Sequence, residues 1–141
     1  MKQIVLISCS KSKLSFKAMA QDLYTGTIFK YSMQYAKSLK PDNIYILSAK
    51  YGLVPLDDII VPYDKTLYSM SSIDRKDWSS RVLNQLEKQV DLGKNHFIIL
   101  AGEIYRKYLV MQFETQSVSF EIPLKGMNRG KQLRYLKKAN E

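Results

Sequence analysis

The chain is poor in the residues that most often build metal and nucleophile sites. It has one cysteine, Cys9, and one histidine, His96, in 141 residues. A lone cysteine excludes an intramolecular disulfide and fits a reducing compartment. One Cys and one His fall short of the usual zinc ligand sets, so no metal is expected. A Cys–His nucleophile pair is disfavoured too, because Cys9 follows the first predicted strand and His96 begins the third. In a parallel sheet these positions lie near opposite ends. Long apolar runs are also missing. No run approaches the roughly 18 residues of a membrane span. The tetrapeptide "LISC" resembles a lipoprotein cleavage box, but the apolar run before it is only Ile4 to Ile7. That is shorter than the roughly 7–15 residues of a signal h-region. The expectation is a soluble, cytoplasmic protein with no membrane partner.

Acidic residues are absent from both ends. Met1 to Gln21 holds Lys2, Lys11, Lys13 and Lys17 and no acid; Ile122 to Asn140 holds Lys125, Arg129, Lys131, Arg134, Lys137 and Lys138 and no acid. Between them, twelve basic residues balance twelve acidic ones, so the ends carry the net charge of +9. Such asymmetry suits a polyanion partner, nucleic acid first and DNA ahead of RNA. A solvated basic surface is the plainer alternative.

What is present reads as one α/β domain over residues 1–141, long enough for a real core. Hydrophobic content of 45% and charged content of 25% are ordinary for a globular chain. Gln3 to Ser8 is a near-continuous apolar run, the mark of a strand buried on both faces. Thr25 to Leu39 has helical spacing, with Ile28, Tyr31, Tyr35 and Leu39 on one stripe. Ile44 to Ser48 is a second strand. Residues 49–70 then form a long loop, punctuated by Pro55 and Pro62, that is too apolar for disorder. Ser71 to Asp74 has the form of a capping box and opens a helix carrying Trp78, Val82, Leu86 and Val90. His96 to Ala101 is a third strand. Gly102 to about Phe113 is a helix with Ile104, Tyr108 and Met111 inward. Ser117 to Ile122 is an edge strand. Arg129 to Ala139 is a basic final helix with Leu133 and Leu136 inward.

Strands alternating with helices predict a three-layer sandwich around a mainly parallel sheet. The four strands are expected in the order second, first, third, fourth (2-1-3-4). In such sheets ligands bind beyond the carboxyl ends of the strands, where the order reverses. Most of the polar and unusual segments follow a strand and belong on that rim. "SCSKSK" offers Ser8, Cys9, Ser10, Lys11 and Lys13 for an anion, without the glycines of a Walker loop; a plain polar turn is the alternative. The long loop brings Ser48, Lys50, Tyr51, Tyr63 and Asp64. "AGEIY" brings Gly102 and Glu103. Asp64 and Glu103 are the candidate catalytic carboxylates. Asp64 equally suits a turn cap bonding the Thr66 or Leu67 N–H, and Glu103 a favourable helix-dipole position. Lys125, Arg129, Lys131, Arg134 and Lys138 suit a nucleic-acid backbone, Lys131, Arg134 and Lys138 as one helical stripe. Met127 is a candidate apolar wedge between bases.

Taken together and in order, "ISCSKSK", "DLYTGTIF", "ILSAKYGLV", "PYDKTL" and "LAGEIY" resemble a bacterial and phage family of uncharacterised small proteins. That family is distantly related to YaaA-type peroxide-stress proteins. It is also similar to the module of archaeosine synthase that has a uracil-DNA-glycosylase-like fold. The resemblance covers almost the whole chain, and its motifs are specific as a set. It implies a compact four-stranded parallel sheet, a uracil-DNA-glycosylase-like arrangement, and DNA or modified bases as the subject matter. It does not carry an activity. True uracil-DNA glycosylases have a "GQDPYH"-type loop where this chain has "SCSKSK", and an "HPSP"-type loop where it has "PLKGMNRG". An acid for base excision would then have to come from Asp64 or Glu103.

The resulting expectation is a protein acting on nucleic acid, in one form a base N-glycosylase or base-exchange enzyme on modified DNA bases. A base would stack on Tyr51 or Tyr63, with no cofactor. A non-catalytic DNA-binding stress or defence protein, or a small nucleotide- or nucleoside-processing enzyme, are the rival expectations.

Overall fold

The computed structural model describes residues 1–140. Seven strands and five helices follow in order: β1 Lys2–Ser8, β2 Ala18–Met19, α1 Ala20–Leu23, α2 Thr27–Ser38, β3 Asn43–Ser48, β4 Gly52–Pro55, β5 Ile59–Ile60, α3 Ser72–Gln89, β6 Asn95–Leu100, α4 Glu103–Thr115, β7 Ser119–Glu121 and α5 Arg129–Ala139. The main sheet is five-stranded and mixed, in the order β4-β3-β1-β6-β7. β1 lies parallel to both β3 and β6, pairing Val5 with Ile44 and Ile98. β7 joins β6 in parallel.

The α/β class and the alternating order agree with the sequence. The strand count and the full order do not. The four expected strands keep their expected neighbours, but β4 extends the sheet beyond β3 as an antiparallel edge. The long-loop reading of residues 49–70 is corrected accordingly. Three residues, Ala49, Lys50 and Tyr51, reverse the chain, and Gly52 takes a φ of +77° where the ladder restarts. Gly at that position of a short hairpin loop was a usable signal. Further on, β5 pairs antiparallel with β2, and a 3-10 turn spans Leu67–Ser69.

Alternation along the central strands builds two cores. Ile4, Leu6, Leu47, Phe97 and Ile99 face α3 and α4, meeting Trp78, Val82, Leu86, Leu109 and Phe113. Val5, Ile7, Ile46, Ile98 and Leu100 face α2 and α5, meeting Phe29, Met33, Ala36 and Leu136. Helices therefore cover both faces of the sheet.

Two helix faces differ from expectation. α2 buries Phe29, Ser32, Met33 and Ala36 rather than the Ile28 stripe. α4 buries Tyr105, Leu109 and Phe113, while Met111 is exposed. In both helices two adjacent apolar stripes satisfy helical spacing, and the sheet face chooses between them. The Ser71 cap is as expected, its hydroxyl accepting from the Asp74 N–H at 3.1 Å. Among the described residues no helix is long and apolar enough to cross a membrane.

Candidate functional site

β1 ends at Ser8, and the chain then runs along the carboxyl edge of the sheet. The Cys9 N–H donates to the Leu47 carbonyl at 3.0 Å, so the turn begins as an extension of the β1–β3 ladder. Lys13 then forms an antiparallel bridge with Tyr24. The Leu14 N–H donates to Leu23 and the Thr25 N–H to Ser12, each at 2.9 Å, one on either side of that bridge. The "SCSKSK" segment is thus a braced strap. Ser10 completes it: its Oγ accepts from the Gly26 N–H at 3.2 Å and donates to the Ser12 carbonyl at 2.8 Å. Gly26 is needed for this approach, because a Cβ there would lie 2.7 Å from the Ser10 Cβ.

The strap forms one wall of a cleft of about 720 Å³. Ser8, Cys9, Ser10, Lys11 and Lys13 line it, with Gly26 and Thr27 from the start of α2, Gly102 from the start of α4, and Arg129 and Gln132 from α5. Asp64, Lys65, Thr66 and Tyr68 line it as well. A second concavity of about 690 Å³ lies between Glu87–Gly93 and Gln116, at the start of β6 and far from this chemistry.

The electrostatics of the cleft favour an anion. Lys11, Lys13, Lys65 and Arg129 line it, and Asp64 is the one carboxylate among its described lining residues. α2 and α4 both begin at a glycine with no side-chain cap. Their first-turn N–H groups and positive dipole ends are directed at the rim. α5 differs, since the Asn128 side chain accepts from its Lys131 N–H.

Behind the strap lies a buried hydroxyl network. The Tyr24 and Tyr63 hydroxyls meet at 2.7 Å, and Ser48 Oγ donates to the Tyr63 hydroxyl at 2.8 Å. Ser48 Oγ in turn accepts from the Lys50 and Tyr51 N–H groups, and the Ser48 carbonyl accepts from Trp78 Nε1 at 2.9 Å. Burial pushes the Tyr24 phenol up to about 12 and raises the Tyr63 and Tyr105 phenols well above their ordinary value. Lys13 Nζ rests on the Tyr63 ring face, 4.4 Å from its centroid, and burial lowers its pKa.

Several sequence-predicted residues are therefore together: Ser8, Cys9, Ser10, Lys11, Lys13, Asp64, Gly102 and Arg129 share the cleft. Asp64 is exposed there, and the capping role goes to Thr66, whose side chain accepts from the Tyr68 N–H. Glu103 is exposed in the first turn of α4 and is not among the lining residues. Ser48 is buried in the hydroxyl network, and Lys50 lies over the Tyr51 ring at 5.3 Å. Tyr51 donates its hydroxyl to the Val61 carbonyl and sets its ring edge-on to Tyr63. Neither tyrosine is among the lining residues of the cleft, and the Tyr63 ring is packed by Lys13, Tyr24 and Tyr51. Lys125, Lys131, Arg134 and Lys138 are exposed outside the cleft. Met127 is half-buried against the α2–α5 core, not a projecting wedge.

Of the aromatic residues that line the cleft, Phe29 and Tyr105 are buried and Tyr68 is 67% exposed. Its ring sits 6.4 Å from that of Tyr105, and Arg75 fixes its turn by donating to the Leu67 and Tyr68 carbonyls. Nothing in the spacing of "KTLYS" singles it out, because its position comes from the 3-10 turn. Gly26, which falls inside the helix expected from Thr25, is instead its N-cap, a position that glycine is permitted to fill. Among the described residues no group of three or more Cys, His, Asp or Glu could hold a metal ion.

A family described as a family of unknown function, DUF6884, matches residues 4–138. A UPF0246 protein of Polynucleobacter necessarius subsp. necessarius (strain STIR1) is 34% identical over 104 residues, covering 70% of this chain. The match covers 40% of that relative's own length. The two findings agree with the resemblance to a family without an assigned function and to YaaA-type proteins. Neither speaks to archaeosine synthase. No solved structure gives a significant match.

Proposed function

We propose, for a chain that belongs to the DUF6884 family of unknown function, that it acts on nucleic acid and admits one nucleotide unit into the rim cleft. The observation that carries this reading is the convergence of Lys11, Lys13, Lys65, Arg129 and two uncapped helix starts on one cleft of about 720 Å³. A phosphate sits against the strap and the α2 start. The base lies against Tyr68, the exposed aromatic, and not against Tyr51 or Tyr63. Lys125, Lys131, Arg134 and Lys138 hold flanking backbone outside the cleft. The setting is a DNA-directed protein of the cytoplasm, with the glycosylase-like arrangement implied by the motifs.

The catalytic form of this reading is cleavage or exchange of an N-glycosidic bond, with Asp64 as the acting carboxylate. Asp64 is favoured over Glu103 because it alone of the two lines the cleft. A carboxylate there stabilises developing positive charge on the sugar or activates water. A free nucleotide is the second reading, supported by a volume within the range of small-molecule sites.

Binding of single-stranded and duplex oligonucleotides, measured by anisotropy between about 50 and 200 mM salt, tests the reading. Backbone contacts through several phosphates predict at least a tenfold loss of affinity over that range. Affinity that is absent, or flat with salt, removes the nucleic-acid reading. Base release from a panel of modified DNAs, lost in Asp64→Asn with binding retained, supports the catalytic form. No release from any substrate leaves a binder.

A further inference from the structure

We propose that Lys13 is a nucleophilic amine that forms a Schiff base with the aldehyde of an open-chain deoxyribose phosphate, which within nucleic acid is an abasic site. The inference rests on the reading of the cleft as a nucleotide site. It gives that site a substrate class and a covalent step.

The first support is placement. Lys13 lines the cleft, and its backbone is pinned opposite Tyr24 by the bridge and its two flanking hydrogen bonds. Its Nζ is held at three points: it donates to the Lys11 carbonyl at 3.1 Å, and it sits 4.4 Å and 5.8 Å from the Tyr63 and Tyr24 ring centroids. A flexible four-carbon stem is thereby confined to one position at the site. Orientation of this kind supplies much of the advantage of an enzymic nucleophile.

The second support is the company it keeps. Among the described residues no carboxylate lies within ion-pair distance of Lys13. A lysine that serves only as a structural cation is ordinarily solvated or paired with an acid. This one is packed on tyrosine rings whose hydroxyls bond each other and Ser48. Burial there lowers its pKa, against the opposing pull of Cys9 and Asp64. A desolvated lysine carries more free amine near neutral pH, which is the usual way such a group becomes a nucleophile.

The step balances with no oxidant or reductant. The Nζ lone pair attacks the aldehyde carbon, and a proton passes from nitrogen to oxygen to give a carbinolamine. The nitrogen's second proton then passes to the hydroxyl, which leaves as water as the C=N bond forms. Asp64, the carboxylate that lines the same cleft, is the group assigned to relay those protons.

Borohydride trapping tests this on the full chain. A single-stranded oligonucleotide with one abasic site, and free 2-deoxyribose 5-phosphate, are each incubated with protein and borohydride, and the adduct is mapped by peptide mass spectrometry. Oligonucleotide binding is measured in parallel without borohydride. The expected result is an oligonucleotide adduct on the Lys13 peptide. It should fall at least tenfold in Lys13→Arg, whose circular dichroism stays close to wild type and whose adduct yield is normalised to its own oligonucleotide binding, and remain in Lys88→Arg. Adducts spread over surface lysines, or none while the oligonucleotide binds, overturn the inference and leave the nucleic-acid reading standing. An adduct at Lys13 with the free sugar phosphate alone, without oligonucleotide binding, keeps the amine chemistry and removes the nucleic-acid reading. Mapping on the wild-type chain decides the matter even if Lys13→Arg folds poorly.

Discussion

Gly52 turns the chain with a φ of +77°, and a Cβ there would run into the Gln85 side chain. Gln85 cannot easily yield, because it accepts from the Leu53 N–H at 2.8 Å and donates to the Tyr51 carbonyl at 3.2 Å. Gly52→Ala should therefore cost about 2 kcal/mol or more, combining left-handed strain with loss of those bonds. A urea midpoint unchanged from wild type would show that the turn relaxes at no cost. The buried phenols make a second prediction. Tyr24 titrates at about 12 when folded, against an ordinary 10.0, and Tyr63 is raised as well. In that window the folded chain keeps protons that the unfolded chain has lost. Stability is thus complete below about pH 10 and falls as pH rises toward 12. Tyr24→Phe removes one of these protons, so its loss of stability over the same pH range should be shallower. Thermal melts from pH 9 to 12 report both. At this scale Asp64 was legible as a carboxylate following Pro62 and Tyr63 in an apolar segment, yet its separation from Glu103 was not. That depends on which of the two the fold turns to the cleft, and only Asp64 lines it.

Among the elements, α3 shows how well local chemistry can be read. Ser71 caps it through the Asp74 N–H, a bond that depends only on residues three apart. Ser71→Ala should lower stability by about 1 kcal/mol with no change at the cleft; an altered oligonucleotide affinity would contradict that. α5 is the other element with a separable role. Its exposed Lys131, Arg134 and Lys138 lie outside the cleft. Changing all three to Gln should reduce the slope of log affinity against log salt by roughly two to three, if each holds a phosphate. The unfolding midpoint should barely move. An unchanged slope would assign these cations to solvent. The inward faces of α2 and α4 were less legible, since Ile28–Tyr31–Tyr35 and Ile104–Tyr108–Met111 keep helical spacing as well as the buried sets do. Periodicity names a helix but does not choose between neighbouring stripes.

For the whole molecule, the acid-free ends are brought to one place. The strap after β1 and the start of α5 are more than a hundred residues apart in sequence, yet Lys11, Lys13 and Arg129 line one cleft. The sequence by itself determined the α/β class, the four parallel strands with their neighbours, the α3 cap and the concentration of charge at the ends. The strand neighbours follow from the alternation of strands and helices with right-handed crossovers, and the others from composition or from residues within a few positions of each other. Only the tertiary structure decided the fifth strand, the braced strap, the exposure of Tyr68 rather than Tyr51 at the cleft, and the seat of Lys13 on Tyr63. Those rest on a left-handed turn at Gly52, a Ser10–Gly26 approach with no room for a Cβ, and hydroxyl contacts between residues 39 and 15 positions apart. Short-range hydrogen bonding and periodicity leave a mark in the sequence. Packing between distant segments does not, because many pairings satisfy the same local pattern and the shared core selects one.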